Sequence, residues 1–346
     1  MDMKRQRRLG SRTARLGAVI PMVLALCGGL LAACGSSEAD GLTRVTVGVA
    51  GTIFDAPLRV ADAKGYFRAA GLKVEFVTLT SSLDAAALQS DSVQFLNYSP
   101  TTFINAVNRK IPQLAVSVDG AGSPLGLIVS TKFARAHHLT ADTPPAEVAR
   151  ALRGSVGGAS SATTQGQAGI FLREYGVSPN TVRYASLPSP AADKAALSNN
   201  RIDWFVTSEP TPLAVQDDGD GVVVAGPDTV PAWSVPRSGY GQIIAVRQDY
   251  ATTNAELVRR FVRAVQQGSA YIRGHESDVV SIVKQTFSTI ADPVLLASLR
   301  QVDWPETGAM SADGWKTSMN FIKQTGAVPK GAKLPRGNWT NEYLPR

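Results

Sequence analysis

The sequence predicts an α/β fold built as two lobes, each a mixed, mostly parallel sheet flanked by helices. Three observations carry this expectation. Strand-like alternation gives way to helical periodicity and back, as in 44–49 (RVTVGV), 56–63 (APLRVADA) and 72–77 (LKVEFV). Strand, helix and strand in that order predict a parallel pair joined by a right-handed crossover. A chain of 346 residues exceeds what one hydrophobic core usually organises, which favours two lobes. Two glycine- and proline-rich segments, 119–124 and 226–239, are the natural crossings between them.

Residues 56–76, APLRVADAKGYFRAAGLKVEF, organise the rest. Gly65 stands where the helix ends and a positive φ is needed. Tyr66 and Phe67 follow, placed to plug the helix onto a sheet, and Gly71 makes a second turn before the strand. An ordinary βαβ unit explains the periodicity but not this punctuation. The pattern APLxVAxxKGYFxxxGLxVxF resembles the opening of the solute-binding proteins of ABC importers for nitrate, taurine and aliphatic sulfonates. The resemblance implies the two-lobed, type II periplasmic-binding-protein fold, with 42–122 and 238–346 in one lobe and 123–237 in the other. It also implies a monomeric binder rather than an enzyme. Such a binder needs no cofactor, holds a small molecule between its lobes, and delivers it to a membrane permease with its ATPase.

Taken in order, residues 1–33 read as a leader. Lys4, Arg5, Arg7, Arg8, Arg12 and Arg15 precede an apolar run, 16–31, interrupted by Pro21, Gly28 and Gly29. That run is short for a membrane span, which needs about 20 residues. It ends in Leu31-Ala32-Ala33-Cys34-Gly35, which resembles the lipobox of bacterial lipoproteins. The resemblance implies cleavage before Cys34, a lipid on that cysteine, a polar tether over 34–41 and an extracytoplasmic, membrane-anchored protein. An uncleaved anchor helix is the alternative. The leader holds most of the formal +7 charge, so the basic balance is no argument for nucleic acid. Cys27 leaves with the leader, so neither a disulfide nor a cysteine metal site is expected.

In open α/β sheets, ligands lie beyond the carboxyl ends of the strands. The loop after the first strand offers Thr52, Phe54 and Asp55. Ser81 and Ser82 follow the second strand and open a helix at 83–89. Asn97, Tyr98 and Ser99 follow an apolar strand at 93–96 and open a helix at 101–108. Hydroxyl residues at helix starts cap free N–H groups, and the same geometry holds anions.

In the second half, 125–130 reads as a strand. His137 and His138 are adjacent, so they point apart on a helix and read as a solvated pair rather than metal ligands. Ser160, Ser161, Thr163 and Thr164 open a helix at 165–175, either as plain caps or as an anion site; in the resembled family this loop contacts the ligand. Residues 158–162 lack the second glycine of a nucleophile elbow, which argues against a hydrolase. Residues 201–206 (RIDWFV) resemble the family's second G-x-I-D-A strand, with Asn200 at the usual glycine and Trp204 at the usual alanine. In relatives that bind amino-sulfonates, an acid near this point meets the ligand amine. The resemblance carries that role to Glu209; an acid favourably placed at a helix start is the alternative. Trp233 and Arg237, in the aperiodic return segment, are expected to line the cleft. Residues 217–221 (DDGDG) lack calcium-loop spacing. A long amphipathic helix follows Asn254, Trp304, Trp315 and Met319 read as core, and the proline-rich tail 330–346 reads as surface wrapping.

The expected ligand is a small anion or zwitterion of the sulfonate, taurine or nitrate class, its anionic end at helix starts and any amine near Glu209. Phe54, Tyr98 and Trp233 equally allow a flat aromatic anion. A ligand sensor without a transporter remains open. A thiamine-pyrimidine-synthase-like enzyme is disfavoured, because that chemistry uses a cysteine-rich segment.

Overall fold

The computed structural model of the protein describes residues 41–345 except Ser81. The expected leader, Cys34, the tether up to residue 40 and Ser81 lie outside the described residues. The helix Ala56–Ala63 ends before Gly65, whose φ is 72°. One helical turn, Tyr66–Ala69, follows, and Gly71 (φ 72°) leads into the next strand. Phe67 is buried and stacks 5.2 Å from Phe261, which lies 3.8 Å from Phe95. These three rings join the crossover helices to the sheet. Tyr66 is only half-buried at its margin.

Ten strands follow in chain order. They are β1 (Thr43–Val49), β2 (Leu72–Thr78), β3 (Phe95–Tyr98), β4 (Gln113–Ala121) and β5 (Leu125–Ser130). Then come β6 (Val156–Ala159), β7 (Arg183–Ser186), β8 (Trp204–Ser208), β9 (Gly221–Ala225) and β10 (Tyr240–Arg247). They form two five-stranded mixed sheets, ordered β2-β1-β3-β10-β4 and β7-β6-β8-β5-β9. In the first, β1 runs parallel to β2 and β3, and β10 lies antiparallel between β3 and β4. In the second, β6 runs parallel to β7 and β8, and β5 lies antiparallel between β8 and β9. Each sheet is thus a parallel unit with one reversed strand, the arrangement expected from two helix-linked halves that exchange a strand at their junction.

The chain leaves the first sheet after β4 and returns after β9. The two passages lie side by side: Gly122 N–H donates to Gly239 O at 2.8 Å and Ser123 N–H to Trp233 O at 3.3 Å. The helix Ala255–Ile272 buries its apolar stripe on the first sheet and crosses the helix Ala56–Ala63. A Cβ at Gly268 would lie 2.1 Å from Pro57 O, so only glycine allows this approach.

Several boundaries depart from expectation by two or three residues, with consequences for the site. The third strand runs through Tyr98 rather than ending at Leu96, which places Asn97 inside a ladder opposite Ile244. The segment 201–206 is strand only from Trp204, and the strand extends to Ser208. β4 runs on through Asp119 and Gly120, so the crossing is shorter than 119–124. The tail does more than wrap the surface: Asn338 O and Thr340 N–H bond to Ala115 along β4, and Tyr343 is buried, donating to Ala251 O. The helix Ala312–Thr325 touches both halves. Its Trp315, Met319 and Ile322 pack with the first sheet, while Phe321 packs with the second. Among the described residues, no helix is long and apolar enough to cross a membrane.

Candidate functional site

The carboxyl ends of the parallel strands in both sheets face one cavity of about 520 Å³. Three loops of the first sheet build one wall. After β1, Gly51 and Thr52 turn sharply, held by the Asp55 carboxylate, which accepts from Gly51 N–H at 2.8 Å. Phe54 follows and lies flat on the reversed strand; a Cβ at Gly241 would come within 2.4 Å of its ring. After β2, Thr78, Leu79 and Thr80 reach the cavity, with Asp84 just beyond. Tyr98 ends β3 and Ser99 follows it.

The second sheet builds the facing wall. Ser160 and Ser161 follow β6, Ser189 follows β7, and Thr207 and Ser208 end β8. Phe287 and Ile290 close one side from a loop beyond the helix Glu276–Val283. The walls meet where Ile53 N–H donates to Glu209 O at 3.0 Å.

Three helices of nine residues or more start at this cavity. Ser99 caps Pro100–Asn108, accepting from Thr102 N–H at 3.2 Å. Ser161 caps Ala162–Glu174 through a reciprocal box with Thr164. Ser189 caps Pro190–Ser198, accepting from Ala192 N–H at 3.3 Å. Each cap satisfies one first-turn N–H, and the others in that turn have no intrahelical partner. The positive ends of three helix dipoles therefore converge on one space, a setting that favours negative charge.

Eight of the residues singled out in the sequence line this cavity: Thr52, Phe54, Tyr98, Ser99, Ser160, Ser161, Thr163 and Thr164. The others lie elsewhere. Ser82 is exposed, beside Thr80, and Ser81 is outside the described residues. Asp55 and Asn97 are fully buried beneath the wall: Asp55 holds the turn, and Asn97 Nδ2 donates to Phe54 O at 3.2 Å. Burial pushes the Asp55 carboxyl up to about 6, against the pull of the Arg59 charge and of backbone N–H groups. Asp119, near Asp55, is raised further, by burial first and then by that neighbouring charge.

Glu209 does not line the cavity. Its side chain folds under the loop, where Oε2 accepts from Leu213 N–H at 3.1 Å, and burial pushes its carboxyl up to about 8. Trp233 is fully buried in the core of the second sheet, 6.1 Å from Phe171, because the return segment turns its apolar side inward. Arg237 is exposed on the far side of that segment, in a shallow groove against Asn320 and Gln324. The expected cleft roles of Glu209, Trp233 and Arg237 therefore give way to supporting and surface positions.

The sequence reading missed Asp84, Ser189, Lys194 and Gln242, all of which line the cavity. Ser189-Pro190 is a helix-start signal that was legible. Asp84 and Lys194 sit within helices whose facing direction only the tertiary structure sets. Among the described residues lining the cavity, they are the only carboxyl- and amine-bearing side chains. Lys194 pairs with Asp218. Asp84 is 7 % exposed, and burial alone pushes its carboxyl up to about 7.

No curated protein matches the sequence significantly. Among solved structures, the alkanesulfonate-binding protein SsuA of Xanthomonas axonopodis pv. citri, bound to MOPS, superposes with a TM-score of 0.67 at 16% identity. The match covers 84% of this chain and 96% of that one. The ligand-binding component of an ABC-type import system from Staphylococcus aureus gives 0.67 at 16%, covering 83% and 94%. The desulfurization enzyme DszB gives 0.58 at 14%, covering 82% and 93%. At these identities, what is shared is the fold, that of the periplasmic binding proteins. The model of one family, described as NMT1-like, matches residues 38–284. The chain belongs to the NMT1-like family.

Proposed function

We propose that this protein is the extracytoplasmic solute-binding component of an ABC importer, capturing a small anionic or zwitterionic organic solute between two lobes. The observation that carries the reading is the convergence of three capped helix starts, from both sheets, on one cavity of about 520 Å³. That size suits a small metabolite rather than a polymer. Two chain passages bonded side by side at the junction suit a hinge, and closure then follows from tighter binding to the closed form alone. The lobes are 42–122 with 238–346, and 123–237. Cys34 carries the lipid that tethers the protein outside the membrane, and the closed form docks on a permease served by an ATPase. Aliphatic sulfonates, taurine and nitrate are the ligand classes that the resembled importers suggest.

A thermal-shift screen of the chain against alkanesulfonates, aminoalkanesulfonates, nitrate, aromatic acids and pyrimidines tests this reading. A solute at 100 times its dissociation constant adds about 2.7 kcal/mol of stability. The expected result is a saturable rise in melting temperature with one class and no consumption of that solute. Absence of any shift, or turnover of the bound solute, would overturn the reading.

A further inference from the structure

We propose that the pole of the first sheet opposite the cavity is a docking face for an anionic membrane surface, made by Arg109, Lys110, Lys330, Lys333 and Arg336. This goes beyond solute capture and rests on the reading above that the chain is tethered outside a membrane. The parallel strands point their carboxyl ends at the cavity, so their amino ends mark the far pole. β1 starts there at Thr43, two residues after Gly41. The helix Pro100–Asn108 starts at the cavity and runs back to that pole, where Arg109 and Lys110 follow it and β4 begins at Gln113. The tail returns to the same place. Asn108 Nδ2 donates to Lys333 O at 2.8 Å, Lys333 N–H donates to Asn108 Oδ1 at 3.2 Å, and Asn338 Nδ2 donates to Gln113 O at 2.9 Å. Lys330, Lys333 and Arg336 are thereby carried beside Arg109 and Lys110.

All five residues are exposed, and none forms an ion pair among the described residues. Residues 105–113 and 327–340 contain these five cations and no acid. By contrast, 123–237, which build the second sheet and its helices, hold nine Lys or Arg against ten Asp or Glu. That half offers no comparable surplus. Each Lys or Arg close to an anionic leaflet strengthens attachment by about fivefold. Position names the source of the negative charge. β4 lies three strands from β1, about 14 Å across the sheet. Seven steps of chain link Cys34 to Gly41, a reach of at most about 25 Å. A lipid at Cys34 holds this pole within that reach of the leaflet, so even a weak attraction acts at high effective concentration. Docked in this way, the cavity and the second sheet face away from the lipid.

Hydrogen exchange of the full chain on vesicles of phosphatidylcholine, alone or mixed with phosphatidylglycerol, tests the docking face. The expected result is slower exchange at 108–113 and 331–338 on the anionic vesicles, with no slowing on the neutral ones. The slowing should vanish in molar salt, where screening shortens to about 3 Å. A triple variant, Arg109→Gln with Lys110→Gln and Lys333→Gln, should lose it at low salt. That variant should respond to solutes in the thermal screen as wild type does, since none of the three positions lines the cavity. Equal slowing on neutral vesicles, slowing confined to the cavity loops, no slowing on either vesicle, or a triple variant that keeps wild-type protection would overturn the docking face and leave solute binding intact. Protection of the same segments by duplex DNA at concentrations where anionic vesicles give none would equally overturn the membrane assignment. Failure of every solute in the thermal screen would overturn solute binding and leave this face standing.

Discussion

Phe261→Ala is expected to destabilise the protein by about 4 kcal/mol, the range for removing a large aromatic from a packed core. Phe261 is fully buried on the helix Ala255–Ile272, sandwiched between Phe67 and Phe95. Two stacked contacts add to the transfer cost of the ring. Phe67 belongs to the organising crossover and Phe95 to β3, whose end supplies Tyr98 and Ser99 to the cavity. The substitution thus opens a void where the long helix, the crossover and the central strand meet. Urea unfolding of the variant checks it; a loss below about 1 kcal/mol would mean that the three rings do not anchor the lobe.

Glu209→Gln is expected to stabilise the protein progressively as pH rises. The unfolded chain ionises this group near its ordinary 4.5, whereas burial holds the folded carboxyl up to about 8. Between those values folding takes up a proton, so wild-type stability from this group falls as pH rises and levels off above 8. Glutamine still accepts from Leu213 N–H, as Oε2 does now, and carries no ionisation to suppress. Each pKa unit corresponds to about 1.4 kcal/mol, so the variant should gain about 3 to 5 kcal/mol on wild type across the window. Unfolding curves at several pH values measure the gap. A gap that stays constant would show that Glu209 ionises freely in the folded protein.

The same residue shows where sequence reading stops. The strand, the helix start and an acid between them were all legible around Glu209, and the position lies at the rim as expected. Its side-chain direction is set by contacts distant in sequence: Pro124 accepts its N–H, and Gly126 brings the neighbouring strand close to its carboxylate. Trp233 failed for a related reason. An aperiodic segment carries no face signal, and its partner Phe171 lies on a helix far back in the chain. The hydroxyl-rich helix starts at Ser99 and Ser161 were legible to within three residues, the second helix beginning at Ala162 and not at 165, because capping is local to residue type and spacing. The crossover around Gly65 and Gly71 was legible for the same reason, since a positive φ is a demand made by one residue. Asp84 and Lys194 carried no local mark, because an acid in a first helical turn and a lysine in a helix usually face solvent.

Amide hydrogen exchange, with and without the panel solute that most raises the melting temperature, shows whether both sheets grip one ligand at their helix starts. A shared grip slows exchange together at 99–104 from the first sheet and at 161–166 and 189–194 from the second. Protection confined to one sheet, or falling outside the cavity altogether, would contradict it.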